Sequence, residues 1–433
     1  MRQYRLSDLT WLPRTPAGRH AIYEGIRFRL WPFASRIARV WRKTAIRRTR
    51  VVAVVGSLGK STTTRAVMAV LDLRAPASGP GNAWSSLAWL LLSIRPGQAH
   101  AAIEAGISRP GTMEGYARMM LPNATVVTSI ASEHNRSFGS LEATRDEKAW
   151  MVRVLRPDGV AVLNGDDPHV MWMRGETRAR VVTYGFGVHC DVRGSDVAID
   201  WPAGTRFRVH VDGVTRDARV RFIGRHLVYP ALAAIAVARA EGVPLDTAID
   251  RLANATGPRG RMQPVELPGG VMVLRDEVKS TLETIHTALE TFAEIPAKRR
   301  IVVLGDISEP MGSQNRLYRD LGRRAALAAT HVVVAGGSRE KLQAGAHAAG
   351  LPRANLIEGG RTPSEIASFL RGFLEPGDVV LIKGRDTQRL DRVRLILAGR
   401  AVRCDLRTCP IRRLECANCP MLERGWAGER TLD

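Results

Sequence analysis

The segment Gly56-Ser57-Leu58-Gly59-Lys60-Ser61-Thr62 follows the apolar run Val51–Val55 and opens the helix-like stretch Ser61–Leu73. Glycines let successive backbone N–H groups converge on one anion, and the helix N-terminus adds the positive end of a dipole. Lys60 supplies a cation suited to β- and γ-phosphate oxygens, and Ser61 a hydroxyl suited to Mg²⁺. Gly56, Ser57, Gly59, Lys60, Ser61 and Thr62 are therefore candidate contacts for the phosphates of ATP. The motif is a shortened phosphate loop, because Val54 stands where the first glycine of the longer G-x-x-x-x-G-K-[ST] pattern belongs. A second constellation lies near the end of the chain. Cys404, Cys409, Cys416 and Cys419 form C-x₄-C-x₆-C-x₂-C. Cys416 and Cys419 have chelating spacing, and four thiolates suit tetrahedral Zn²⁺, with an Fe–S cluster the lesser alternative. The expected role is a structural staple for a short tail. Cys190 stands apart and reads as a small buried residue.

Hydrophobic periodicity indicates the elements that must position these groups. The run Val51–Val55, the glycine turn and the helix beyond it open an α/β unit. Further strand-like runs are Ala101–Glu104, Ala124–Ser129 and Val160–Asn164. Residues 180–222 alternate differently and read as a small antiparallel β section, and the alanine-dense Gly224–Glu241 reads as a buried helix. A boundary falls at Gly257-Pro258-Arg259-Gly260. Beyond it Val271–Leu274, Arg300–Leu304, His331–Ala335 and Asp378–Ile382 alternate with helix-like Leu282–Phe292, Asn315–Ala329 and Pro363–Phe373. Ahead of the loop, Ile22, Ile26, Leu30, Phe33, Ile37 and Trp41 recur three and four apart as one helical stripe, which Pro32 should kink or break.

The expected fold is thus α/β. A basic amphipathic arm covers 1–49, and a central P-loop ATPase domain with a mostly parallel sheet covers 50–257. A Rossmann-like α/β domain covers 258–400, and a cysteine-bearing tail covers 401–433.

At 433 residues and 45% hydrophobic, the chain can bury cores in two or three domains. Its net charge is +22, and residues 1–50 carry thirteen basic side chains against Asp8 and Glu24. Such an excess favours anionic partners: phosphorylated substrates, an anionic membrane surface or nucleic acid. No nucleic-acid-binding motif accompanies it, so nucleic acid is the least favoured. The arm is expected either to lie on an anionic bilayer, with Trp31, Phe33 and Trp41 in the interface, or to pack on the ATPase domain. The first residues are polar and charged, and the most apolar window, Ala83–Ile94, is too short to cross a bilayer. The expected location is cytoplasmic, or peripheral on the inner face of the membrane. Five cysteines in such a chain do not read as a disulfide framework.

The loop, in the form G-[ST]-x-G-K-[ST]-[ST], resembles that of the Mur ligase family, and later landmarks fall in the family's order. These are Glu104-Ala105-Gly106, Thr128-Ser129-Ile130 through Glu133-His134, Phe138-Gly139-Ser140 and Glu147-Lys148. Asn164-Gly165-Asp166-Asp167, Gly224-Arg225-His226, Gly260-Arg261, Asp276, Leu304-Gly305-Asp306 and Lys383-Gly384 follow. The resemblance covers roughly residues 50–398. It is closest in flavour to the branch that adds D-alanyl-D-alanine, with a short segment ahead of the loop as in poly-γ-glutamate synthase. It implies an ATP-dependent ligase that makes an acyl phosphate on a carboxylate and then an amide with an amine. The acceptor carboxylate and amine donor would belong to cell-envelope peptide or poly-amino-acid synthesis, free or lipid- or polymer-linked. It implies that Lys60 and the loop amides hold ATP, that Ser61 and Glu104 hold one Mg²⁺, and that His134 helps hold a second. Lys148 corresponds to the family lysine that becomes carbamylated and supports that metal. Arg261, Asp276 and Lys383 would reach the nucleotide as the domains close. Ser129, Leu227, Pro230 and Arg275 depart from the family pattern. They keep open an alternative, a catalytically impaired nucleotide-binding scaffold recruited by its basic arm.

Overall fold

The computed structural model describes residues 12–14, 16–74, 81–107, 109–132, 138–308, 310, 312–337, 339–409, 411 and 414–425. The chain divides into two compact units, residues 26–258 and residues 259–433 together with the first 25.

The unit over 26–258 is built on one eight-stranded sheet of order β2-β1-β3-β4-β5-β6-β7-β8. Strands β1 (Arg50–Val55), β2 (His100–Glu104), β3 (Ala124–Val127), β4 (Val160–Asn164) and β5 (Arg180–Gly185) run parallel. Runs such as RVVAVV and ATVV are apolar without alternation, as strands covered on both faces must be. The chain leaves β1 for β2 on one side and returns to β3 on the other. At such a reversal the crevice outside the carboxyl ends of the strands is where open α/β sheets bind ligands.

The antiparallel section expected over 180–222 needs correcting. β5 belongs to the parallel run, and its inner residues are buried. Only β6 (Val192–Asp200), β7 (Gly204–Val211) and β8 (Val214–Val220) form an antiparallel meander, and they extend the same sheet. Helix Val228–Ala240 is buried from Pro230 through Ala238, as its alanine content implies.

The arm forms two helices, α1 (Pro16–Arg29) and α2 (Trp31–Lys43), with the break at Leu30. Pro32 sits in the first turn of α2, where its missing N–H costs no helical hydrogen bond. Helix α2 turns Ala34, Ala38 and Arg42 inward. Trp41 donates its indole N–H to the Ile94 carbonyl at 3.2 Å. Trp31 packs edge-on against Trp84 and Tyr116. The two tryptophans expected at a membrane interface thus face the protein. The exposed apolar stripe is Ile26, Leu30, Phe33, Ile37 and Val40. The remaining helices that bear on the site are α3 (Lys60–Val70), α4 (Ser85–Ser93) and α5 (Met113–Met120), followed by Leu141–Arg153.

The unit over 259–433 carries a six-stranded sheet of order β13-β12-β11-β14-β10-β9. β9 (Gln263–Leu267) is antiparallel to β10 (Val271–Asp276). β10, β11 (Arg300–Leu304), β12 (His331–Ala335), β13 (Leu356–Gly360) and β14 (Val379–Lys383) are parallel. The sequence reading missed β9 and β13. One carries Pro264 and the other Gly359 and Gly360, and both lie at sheet edges, where such residues are tolerated. The tail beyond residue 400 packs Cys416 and Leu422 on Leu395 of helix Asp391–Leu397.

Candidate active site

The loop between β1 and α3 is shaped by glycine. Gly56 has φ +140°, and a Cβ there would lie 2.0 Å from Thr128 Oγ1 and 3.0 Å from the Ser129 amide. Gly59 is left-handed and stands just before α3. Two hydroxyls from the segment after β3 and the loop's own Ser57 fix the loop. Thr128 Oγ1 donates to the Leu58 carbonyl at 2.6 Å, and the Leu58 amide donates to Ser129 Oγ at 3.1 Å. Ser57 Oγ accepts from the Ala131 amide at 2.9 Å. The serine standing where the family has asparagine therefore supports the loop directly. Lys60 Nζ donates to the carbonyls of Gly56 at 2.8 Å and Ser57 at 2.7 Å, which holds the cation over the loop. Ser61 lies half-exposed in the first turn of α3, and Thr62 is buried behind it.

Lys148 comes to the same place from 91 residues away. It is 3% exposed, and its Nζ donates to Ser57 Oγ at 2.7 Å. Its helix, Leu141–Arg153, starts at Ser140, whose side chain caps the Ala143 amide. The neighbouring Glu147 points the other way and accepts from the amides of Gly111, Thr112 and Met113 at the start of α5. At the far end of α5, Arg42 donates to the carbonyls of Met120 and Leu121, each at 2.9 Å.

Glu104 ends β2, paired in register with Val54 of β1 two residues before the loop. Its Oε1 accepts from Asn82 Nδ2 at 2.7 Å. A hydroxyl at 61, in the first turn of α3, and a carboxylate at 104, at the end of β2, make an oxygen-only donor set, which fits Mg²⁺. The N-x-D-D stretch is structural in its details. Asn164 Nδ2 donates to the Thr128 carbonyl at 2.9 Å, and Asp167 accepts from the Ile130 amide at 2.8 Å while capping helix Pro168–Met171. Both brace the segment that braces the loop. Asp166 accepts from the amides of Phe186 and Gly187 and from the Tyr229 hydroxyl. His134, expected to help hold a second Mg²⁺, lies outside the described residues with Glu133.

In the other unit, Asp276 and Lys383 meet as register neighbours on β10 and β14. Lys383 is 1% exposed and donates to Asp276 Oδ2 at 2.5 Å and to the Lys279 carbonyl at 2.7 Å. Burial pushes the Asp276 carboxyl up and the Lys383 ammonium down, and each partly restores the other's charge. Asp276 Oδ1 also accepts from the Met262 amide at 3.2 Å, so the pair anchors the turn that carries the half-exposed Arg261. Gln388 joins the two later signatures, accepting from the amides of Asp306 and Arg385.

The sequence reading missed Asn82, Arg42 and Gln388 as positioning residues. Each works on a partner 22 or more residues away, and no local pattern marks such pairs. In the tail, Cys404, Cys409, Cys416 and Cys419 line one cavity. Among the described residues, no three of their sulfurs lie within 4.8 Å of one another. The sulfurs of a single zinc tetrahedron sit roughly 3.8 Å apart.

The Mur ligase middle domain family model matches residues 54–238, and the Mur ligase glutamate ligase domain model matches residues 260–385. The UDP-N-acetylmuramoyl-tripeptide–D-alanyl-D-alanine ligase of Mycobacterium leprae is 30% identical over 389 residues, covering 81% of this chain and 73% of that protein. Its namesake in Mycobacterium tuberculosis is 29% identical over 366 residues, covering 79% and 72%. Among solved structures, MurF of Acinetobacter baumannii superposes with a TM-score of 0.74 at 23% identity, covering 85% of this chain and 80% of that one. MurF ligase of Thermotoga maritima, solved in complex with ADP, gives 0.72 at 22% identity, covering 85% and 83%. These structural likenesses speak to the fold, a P-loop domain followed by a Rossmann-like one.

Proposed function

Because this chain belongs to the Mur ligase family, we propose that it is an ATP-dependent ligase joining a carboxylate to an amine in peptidoglycan peptide synthesis. The observation that carries this reading is the convergence on Ser57. The phosphate loop, the Thr128–Ala131 segment and Lys148 are tied at one hydroxyl. A merely structural glycine turn has no need of a buried lysine held there.

A carboxylate is a poor electrophile until it carries a leaving group. Moving the γ-phosphoryl group of ATP onto it gives an acyl phosphate. An amine then attacks the acyl carbon and phosphate departs. The first step is chiefly positioning and charge neutralisation. The loop amides from Gly56 to Thr62 orient the phosphates, and Lys60 follows the charge on the transferring group. Ser61 and Glu104 would hold Mg²⁺, which neutralises phosphate oxygens when bound. Lys148 is assigned the carbamylated lysine's role, where its place on Ser57 would set the new anion beside the loop. His134 is kept as a proposed metal ligand. Arg261, beside the buried Lys383–Asp276 pair, is assigned to nucleotide oxygens.

For the substrates we favour a muramoyl-peptide carboxylate and a dipeptide amine, as the relatives' names indicate. We further propose that the acceptor is met on an anionic bilayer. Ile26, Leu30, Phe33, Ile37 and Val40 are each between 43% and 63% exposed, three or four residues apart. Exposed Arg29, Arg36, Arg39 and Lys43 flank them. An apolar stripe bordered by cations suits the headgroup boundary of a bilayer rich in anionic lipid. No helix of the described residues is long and apolar enough to cross a membrane.

The test is phosphate release from ATP and Mg²⁺ with UDP-N-acetylmuramoyl tripeptide, or its lipid-linked form, and D-alanyl-D-alanine. Turnover should require both the carboxylate and the amine, and Lys60→Ala should lower it on the order of 100-fold or more. Turnover that ignores the amine, or that survives in Lys60→Ala, would sink the ligase reading.

A further inference from the structure

We infer that Cys404, Cys409, Cys416 and Cys419 hold a metal centre through four thiolates, with the cations of Arg389 and Arg392 set against its negative charge. This centre is separate from the ligase site and rests on three observations.

The first is convergence. The four cysteines are spread over sixteen residues, yet all four sulfur-bearing side chains line a single cavity of about 20 Å³. None of them is in a disulfide. The backbone is arranged to bring them there. The Cys409 amide donates to the Thr387 carbonyl at 2.8 Å, and the Cys404 amide to the Leu422 carbonyl at 3.1 Å. Cys416 and Cys419 bracket a single 3₁₀ turn.

The second is the pair of arginines in the cavity wall. Arg392 is 0% exposed. It donates to the carbonyls of Cys404, Leu406 and Gln388 and to Cys404 Sγ at 3.2 Å. Among the described residues no carboxylate pairs with it. Arg389 is 7% exposed. One of its nitrogens meets Asp386 at 3.1 Å, but Nε and Nη2 are buried without a hydrogen-bond partner among the described residues. A buried guanidinium N–H left unpaired is costly, and neutral thiols are weak acceptors. Thiolates bound to a metal are strong ones. Four thiolates on one Zn²⁺, or on a four-iron cluster in its dianionic state, leave a net charge of about −2, which two guanidinium groups would match. Binding would release the four thiol protons to solvent.

The third is size. No three of the sulfurs lie within 4.8 Å of one another. One zinc ion would draw them inward by about an ångström or more. A polynuclear cluster holds its thiolates farther apart and needs less movement. Both sources share the chemistry inferred here, so the measurement must separate them. The segment itself has reason to need such a centre. Its own apolar clusters are small, with Cys404, Ile411 and Met421 in one and Cys416, Leu422 and Leu395 in the other.

The experiment is metal and acid-labile sulfide analysis of the full chain, purified without oxygen and without chelators, with its visible absorption spectrum. About one zinc per chain with no colour supports a single ion, and iron with matching sulfide and a broad visible band supports a cluster. Either confirms the site if the metal falls at least tenfold in Cys416→Ser/Cys419→Ser. Arg389→Met keeps all four thiols and should release the metal to a chelator at least several-fold faster. Two results would overturn the inference. One is a native chain with under a tenth of an equivalent of any transition metal and four tail thiols open to a thiol reagent. The other is metal that persists in the double serine variant, which would place it at another cluster such as Asp166, His189 and Cys190.

Discussion

At the scale of single residues, the phosphate loop depends on what its glycines leave out. Gly56 has backbone and hydroxyl against the place a side chain would occupy, whereas nothing lies within 4 Å of the corresponding place at Gly59. Both have positive φ, so alanine strains both, at about 1 kcal/mol or somewhat more. Only at position 56 must Thr128 and Ser129 also move. Gly56→Ala should therefore weaken ATP binding on the order of 100-fold and lower the melting temperature more than Gly59→Ala does. Calorimetric titration with a non-hydrolysable ATP analogue, beside thermal unfolding, checks this. Equal effects of the two variants would refute the packing argument. The residues of the loop were legible because a strand, two glycines, a lysine and a helix lie within a few positions. The tie from Lys148 to Ser57 was not, since only the folded chain brings positions 91 residues apart into contact. Resemblance pointed to Lys148, but no local pattern did.

At the scale of elements, α2 shows how a correct period can leave a face unassigned. The three-and-four spacing of Ile26, Leu30, Phe33 and Ile37 was plain in sequence. Which side met the protein was settled by small residues, Ala34 and Ala38, and by the buried Arg42. A stripe of large apolar residues would ordinarily be the buried one, so its exposure carries information. Phe33→Glu/Ile37→Glu should cut binding to phosphatidylglycerol vesicles at least tenfold, because each side chain loses the burial of a large apolar group. Arg36→Gln/Arg39→Gln should weaken binding to these vesicles and leave the little binding to phosphatidylcholine unchanged. Co-sedimentation reads both. Undiminished binding of the glutamate variant would remove the bilayer as the occupant of this face. Strands tell a similar story. β1, β3 and β4 were legible as apolar runs, whereas β5 was grouped with the antiparallel meander because sequence alternation does not reveal the direction of a neighbour.

At the scale of the whole molecule, each of the two sheets gathers motifs that are remote in sequence. The order of those motifs was readable, and their partners were not. Arg275, which departs from the family's acid, donates to Glu277 Oε1 at 2.9 Å through Nε. Burial pushes the Glu277 carboxyl up to about 7, with Arg275 pulling it the other way. A folded-state value above the ordinary 4.5 means that the folded chain holds a proton the unfolded chain has released. That stabilisation is complete below the ordinary range and is lost as pH rises through about 7. Urea should therefore unfold this unit at a lower concentration at pH 8 than at pH 5, and Glu277→Gln should flatten the difference. A wild-type midpoint that shifts no more than the variant's would clear Glu277 as the cause. In the unit over 26–258, α5 is clamped at its carbonyl end by Arg42 and at its amide end by Glu147. Eight residues of helix measure about 12 Å. The first clamp belongs to the helix proposed to rest on lipid, and the second is the residue before Lys148. If α2 rests on lipid as proposed, such a strut would serve as a depth gauge. It would fix how far above the bilayer the phosphate loop rides, and an acceptor too short to hold its carboxylate at that height would go unread whatever its chemistry.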